Sequence, residues 1–100
     1  MTKVCLFTAS ASRELEGILD YVASYGSLDA SDRLLGRINA TCQKIANFPG
    51  MGKSRMEFPH GVRSFPVRDY LICYRETDIG IEILRIVSGY RDLESLFVEE

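Results

Sequence analysis

Two hydrophobic periods meet at one break in this chain, and that meeting limits the folds open to it. Before the break, apolar residues recur every three or four positions. Ala11, Leu15, Ile18 and Val22 form one series, and Ala30, Leu34, Ile38, Cys42 and Ile45 form a second. Each series lines one face of a helix. Thr8 stands where its hydroxyl can cap the first helix, and Tyr25-Gly26-Ser27 ends it. The second helix is expected over 29–47. Glu14, Glu16 and Asp20 fall mostly off the first apolar face, and Arg33, Arg37 and Lys44 point outward from the second. With only a few residues between them, the helices are expected to form an antiparallel hairpin. Phe48-Pro49-Gly50-Met51-Gly52 then stops the helical pattern, because proline cannot continue a helix and the glycines permit a tight loop.

The flanking segments have a period of two. Residues 3–7 read as a strand, with Val4 and Leu6 on one face and Cys5 and Phe7 on the other. Residues 62–67 are extended, Arg68-Asp69 is a turn, and 70–75 is a strand. Thr77-Asp78-Ile79-Gly80 turns again into a strand over 81–87. Simple alternation places Ile81, Ile83, Arg85 and Val87 on one face of that strand and Glu82, Leu84 and Ile86 on the other. Apolar on both faces, it is expected inside the sheet. Three strands joined by tight turns make an antiparallel meander. Ser88-Gly89-Tyr90-Arg91-Asp92 leaves the sheet, and 93–98 suits a short last helix. The expected architecture is α+β, ordered β-α-α-β-β-β, with the helical hairpin packed on an antiparallel sheet.

At 100 residues the chain has room for one core, so a single domain over 1–100 is expected. No apolar run is long enough to span a membrane, and charges soon after Phe7 do not suit a signal peptide. Cys5, Cys42 and Cys73 are odd in number and unpatterned, which suits free thiols in a reducing cytoplasm. His60 is the one histidine and sits in a turn-like Phe58-Pro59-His60-Gly61. No metal spacing and no Ser-His-Asp pattern is present, and no cofactor is expected. Gly50-Met51-Gly52-Lys53-Ser54 lacks the phosphate-loop spacing and follows a helix rather than a strand.

The formal charge of -2 is unevenly spread. Residues 33–75 carry a net +6, residues 1–32 a net -3 and residues 76–100 a net -5. A basic middle suits an acidic partner or a phosphate backbone; solvated faces that mix their signs explain it equally well. Arg63, Arg75 and Arg85 alternate with apolar residues, and Arg91 lies past the last strand. Arginine suits bidentate contact with phosphate or carboxylate. Arg91 can also pair with a nearby acid and staple the terminus.

The order of these features resembles a known family. Thr8-x-x-Ala11-x-x-Glu14-Leu15-x-x-Ile18-x-x-Tyr21 resembles the opening helix of ParE-like toxins. Ile45-Ala46-x-Phe48-Pro49-Gly50-Met51-Gly52 resembles their helix end, and Val62-Arg63-x-Phe65-Pro66-Val67-x-x-Tyr70-Leu71-Ile72-x-Tyr74-Arg75 their paired strands. The run from Gly80 to Asp92 resembles their last strand and its arginine-aspartate end. On these motifs the chain is similar to the RelE/ParE superfamily of type II toxin-antitoxin systems, on its ParE side.

That resemblance implies a growth-inhibiting cytoplasmic toxin of the plasmid-stabilisation kind. Its cognate antitoxin would be ParD-like, neutralising it by direct binding in a hetero-oligomer, and its target would be DNA gyrase. RelE-like members instead cut mRNA on the ribosome. Arg91 matches their arginine after the last strand, but Leu71 stands where they carry a strand arginine. Phe97 falls near their catalytic tyrosine and has no hydroxyl to move a proton. No catalytic residue is therefore assigned. A ribonuclease reading would use Arg63, Arg85 and Arg91, and a relic that only binds antitoxin is a third reading. Target contacts are expected at Arg63, Tyr74, Arg75, Arg91, Asp92 and Phe97, and antitoxin contacts at Leu19, Arg33, Arg37 and Leu71.

Overall fold

The computed structural model describes residues 3–58 and 61–88. Strand β1 (Val4–Phe7) leads into helix α1 (Ala9–Tyr25) and helix α2 (Leu28–Asn47). A 3-10 turn (Pro49–Met51) follows. The chain then runs through β2 (Lys53–Ser54), β3 (Arg63–Val67), β4 (Tyr70–Thr77) and β5 (Gly80–Ser88). The expected short helix over 93–98 and the loop histidine His60 lie outside the described residues.

Both helices begin on the hydroxyl that their sequence offers. Thr8 Oγ1 accepts from the Ala11 N–H at 3.1 Å, and Ser27 Oγ accepts from the Ala30 N–H at 3.0 Å. Each satisfies one of the donors that a helix start leaves unpaired. The hairpin is pinned across its seam by Ser31, whose hydroxyl donates to the Leu19 carbonyl at 2.9 Å. The predicted stripes face inward. Ala11, Ile38, Cys42 and Ile45 are buried, and Leu15, Ile18 and Leu34 pack beside them.

The five strands form one sheet in the order β1-β5-β4-β3-β2. β3, β4 and β5 are the expected antiparallel meander, and β1 lies parallel to β5 with Val4 opposite Gly80 and Phe7 opposite Ile83. The last strand is thus interior, as its two apolar faces imply. The helices cover one sheet face, where Phe65, Ile72, Tyr74, Ile81, Ile83 and Ile86 complete the main core. The other face carries a smaller cluster in which Leu71 and Leu84 pack on Phe58, Val62 and Cys73. In β1, Cys5 and Phe7 turn to the main core while Leu6 is about half exposed (48%).

Three features depart from the sequence reading. β2 is a two-residue strand with no apolar alternation to announce it, paired to β3 through Lys53–Ser64 and Ser54–Arg63. Glu14 turns toward the sheet rather than away from it. Most consequential is a β-bulge: Cys73 pairs with Arg85 but Tyr74 pairs with Ile83, so Leu84 is an extra residue in β5. The bulge shifts the alternation by one. Ile86 therefore joins Ile81 and Ile83 on the helix face, correcting the simple assignment of faces.

The β4–β5 turn delivers Gly80 directly against β1. A Cβ there would sit 1.9 Å from the Val4 carbonyl oxygen, at a φ of 156° that suits glycine. Gly80→Ala is expected to destabilise the fold by about 3 kcal/mol or more, from clash and backbone strain together. Urea denaturation reads this as a lower midpoint, and an unchanged midpoint would contradict the parallel β1–β5 pairing.

Candidate functional site

The bulge sets the site's geometry. An extra residue frees backbone groups that the ladder would otherwise use, and buried ones need partners. The Leu84 carbonyl accepts from Thr8 Oγ1 at 2.8 Å, and the Ile86 N–H donates to Glu14 Oε1 at 2.9 Å. Glu14 also holds the neighbouring arginine. Arg85 Nε donates to both Glu14 carboxylate oxygens at 3.0 and 2.9 Å, and Nη2 donates to Oε2 at 2.5 Å. This pair is about three-quarters buried on each side. The Glu14 carboxylate holds the Arg85 guanidinium above its ordinary pKa.

A second knot ties β3 and β4 to the end of α2. Tyr74 is fully buried, and its hydroxyl donates to the Pro49 carbonyl at 2.7 Å while accepting from the Gly52 N–H at 2.9 Å. Burial raises its pKa. Any Cβ at position 52 would strike the tyrosine ring, so glycine is required there. Arg63, opposite Tyr74, donates from Nη1 to the Gly52 carbonyl at 2.9 Å and reaches the Gly50 carbonyl at 3.5 Å. The Phe48–Gly52 stop motif is therefore held from β3 and β4 by two side chains.

The far face of the sheet is organised differently. Arg75 and Glu82 face each other across β4 and β5 and pair at 2.9 Å, partly exposed to solvent. Arg55 Nε donates to Ser64 Oγ at 2.8 Å. Cys73 is enclosed by the smaller apolar cluster, and burial pushes its thiol up to about 11.

An open cleft of about 470 Å³ lies between α1 and the C-terminal half of β5. Gly17 leaves its α1 wall low; Tyr21 and Tyr70 line its sides and Ile86 and Val87 contribute apolar surface. Burial, with Asp69 and Tyr21 nearby, raises the Tyr70 pKa. β1 ends opposite Ile83, so among the described residues no strand pairs with β5 beyond that point on this side. Tyr21 stacks on Tyr25 with ring centroids 4.8 Å apart, and both are mostly exposed. Such a cleft can receive apolar side chains of a helix, or an extended segment against the strand edge.

The structure divides the residues singled out from sequence. Arg63 and Tyr74 come together, but Tyr74 is buried and Arg63 is turned to carbonyl groups. Arg75 lies on the opposite sheet face from Tyr74. Arg91, Asp92 and Phe97 lie outside the described residues. Leu19 is half-buried in the hairpin, and Arg33 and Arg37 are exposed on α2, where Arg33 pairs with Asp29 at 3.4 Å. Leu71 sits on the far sheet face, so these four do not form one surface. Glu14 and Gly17 were not among the expected contacts. Glu14 follows Ala11 by three positions and precedes Ile18 by four, which puts an acid at the border of the apolar stripe, within reach of a partner on the sheet. Among the described residues, no three His, Cys, Asp or Glu side chains gather as a metal-binding group, and no helix is long and apolar enough to cross a membrane.

A family model described as ParE toxin of type II toxin-antitoxin system, parDE, matches residues 5–93. The chain is 27% identical over 86 residues to Toxin ParE3 of Caulobacter vibrioides, and the match covers 86% of each chain. The fold is similar to that in a solved structure described as the chromosomal ParDE TA system from P. aeruginosa. That similarity has a TM-score of 0.73 at 20% identity and covers 89% of this chain and 98% of that one.

The Glu14–Arg85 clamp can be tested directly. Glu14→Ala is expected to destabilise the fold by about 3 kcal/mol, because it strands both a largely buried guanidinium and a bulge N–H. Glu14→Gln retains an oxygen for the Ile86 N–H and is expected to lose only about half as much. Equal losses from the two variants in thermal melts would show that the bulge N–H gains nothing from the side chain.

Proposed function

Matched to the family model over most of its length, this chain belongs to the ParE toxins of type II toxin-antitoxin systems, and we propose that it inhibits DNA gyrase without cutting nucleic acid itself. One observation carries the second half of that reading. The described arginines that a ribonuclease would aim at a phosphate are engaged by acceptors of the protein itself. Glu14 takes Arg85, and the Gly50 and Gly52 carbonyls take Arg63. An arginine already satisfied by a carboxylate is a poor ligand for a scissile phosphate, since the pair must first be broken. Leu71 adds an aliphatic side chain where the nuclease branch carries an arginine. Gyrase as the target rests on the family.

Family membership also supports a cognate antitoxin as partner, and the cleft beside α1 has the form to receive part of it. An antitoxin segment that folds on binding would place apolar side chains between Tyr21 and Tyr70 and run along the open edge of β5. Tyr21 is 60% exposed in the free toxin, so covering it would remove apolar surface from water.

Purified toxin is expected to inhibit gyrase supercoiling or trap cleaved DNA, with the antitoxin reversing the effect. New mRNA ends on translating ribosomes, with gyrase unaffected, would overturn this reading in favour of the nuclease. Growth unchanged on expression of the toxin alone, with tight antitoxin binding, would leave only a binding module. Tyr21→Ala is expected to weaken antitoxin binding by roughly tenfold or more while leaving the melting temperature nearly unchanged. Unaltered affinity in a titration would move the antitoxin contact away from the cleft.

A further inference from the structure

The outer face of α2 is a charged surface that neither the cleft nor the sheet uses. From Arg33 to Met56 the chain holds Arg33, Arg37, Lys44, Lys53 and Arg55 and no acidic residue; Asp32 and Glu57 are the first carboxylates on either side. The helical repeat puts Arg33, Arg37 and Lys44 on one face of α2, with Gly36 and Ala40 between them. All of these positions are exposed, whereas Ile38, Cys42 and Ile45 on the opposite face are buried. Arg33 pairs with Asp29 at 3.4 Å, but both side chains are open to water, so the pair holds it weakly. Among the described residues, Arg37 and Lys44 have no carboxylate partner.

Two further features bear on what this face meets. Gly36 stands inside α2, and a Cβ there would find nothing within 4 Å. A glycine in an exposed helix interior weakens the helix, and the gap it leaves is open to an approach from outside. The exposed large apolar side chains also avoid this stretch: among the described residues, none falls between Arg33 and Asn47. A protein partner is held by apolar and aromatic anchors. A phosphate backbone is held by arginine, lysine, asparagine and glutamine, and Asn39 and Gln43 are exposed beside the cations.

We propose that the outer face of α2 is a sequence-independent binding surface for duplex DNA, with Arg33, Arg37 and Lys44 set against its phosphates. The choice of duplex DNA among phosphate chains rests on the gyrase reading, because a toxin that acts on gyrase meets the duplex that gyrase holds. Gly36 and Ala40 lower the helix surface, so a phosphate strand can lie close while the longer cations reach it. The formal charge of -2 does not oppose this, since every acid of the chain lies outside residues 33–56. Salt confines the field of an exposed charge to about 10 Å. Asp29 and Asp32 stand at the start of α2, so the contact is centred on Arg37 and Lys44.

The test titrates a labelled mixed-sequence duplex with the purified full chain, without gyrase, and reads fluorescence anisotropy at several salt concentrations. A dissociation constant on the order of 100 µM is expected at low salt, with log affinity falling against log salt at a slope of about -3 for three phosphate contacts. Arg37→Gln combined with Lys44→Gln should weaken binding about tenfold or more and bring the slope to about -1, with the melting temperature unchanged. Gly36→Gln fills the gap, keeps the charge and favours the helix, and it should still weaken binding. The proposal fails if the duplex is not bound at low salt, or if the double variant binds it as the unmodified chain does. Tighter binding of polyglutamate than of the duplex, lost in the same double variant, would reassign the face to an acidic protein and overturn it. A preference for single-stranded RNA of the same length would overturn it as well. Supercoiling inhibition measured on the same samples keeps the two readings apart. A toxin that inhibits gyrase but binds no duplex sinks this proposal alone; one that binds duplex through α2 but leaves gyrase untouched sinks the gyrase reading alone.

Discussion

A strand that gains one residue must find new partners for the backbone groups it frees, and in this protein both partners come from the start of α1. Thr8 takes the Leu84 carbonyl and Glu14 takes the Ile86 N–H. Thr8 does this while its oxygen also accepts from the Ala11 N–H to cap the helix. Its own N–H donates to the Ile83 carbonyl at 3.0 Å, at the point where β1 stops pairing. The end of the first strand, the start of the first helix and the bulge in the last strand are thus one joint. An unsatisfied buried backbone group costs about 1–3 kcal/mol, so α1 has little freedom to dock elsewhere. The bulge also turns Ile86 into the main core. Moving α1 would cost both the polar contacts and the apolar ones.

Much of this fold is legible from periodicity because each helix and each hairpin strand buries one face. Leu15, Ile18, Ile38 and Ile45 reveal their inward direction by spacing alone. The Arg68-Asp69 turn is equally readable, although Arg68 adopts a φ of 57° that is strained for a residue with a Cβ. The bulge is not readable in the same way. Register belongs to a pair of strands, and Leu84 is as apolar as the residues that alternate properly. β2 is hidden for a different reason: two polar, exposed residues carry no pattern, and only their pairing to Arg63 and Ser64 makes a strand of them.

The arginines show where a residue's chemistry alone runs out. Arg63, Arg75 and Arg85 share a side chain suited to phosphate, yet each meets an acceptor within the protein. Those acceptors are a carbonyl pair, Glu82 and Glu14. Segment charge concealed this. Glu14 comes from the acidic first third, and Glu82 from the acidic last quarter, where it meets Arg75 of the basic middle. Folding brings Arg75 of the basic middle to Glu82 of the acidic end, while Arg37, Lys44, Lys53 and Arg68 of the middle remain exposed. Among the described target candidates, Tyr74 and Arg75 are neighbours on β4 and so fall on opposite sheet faces, as strand alternation alone requires.

Exposure on the helical hairpin has a different physical meaning. Tyr21 and Tyr25 stack on each other yet remain mostly open to water, and Leu28 beyond them is 76% exposed. Neighbouring apolar groups of this size mark surfaces that a partner covers. The nearby cleft has aromatic walls, and among the described residues no strand pairs with β5 after Ile83, where Thr8 and Glu14 hold the Leu84 carbonyl and the Ile86 N–H. Aromatic walls invite side chains. A segment seated between the aromatic walls gains apolar burial, offsetting the entropy lost when a disordered chain is ordered. The bulge that fixes α1 also sets the width of this cleft, because Glu14 lines it while holding Arg85 and Ile86. The proposed antitoxin cleft and the folding joint therefore share Glu14, so a partner seated there would rest on the residue that holds the bulge.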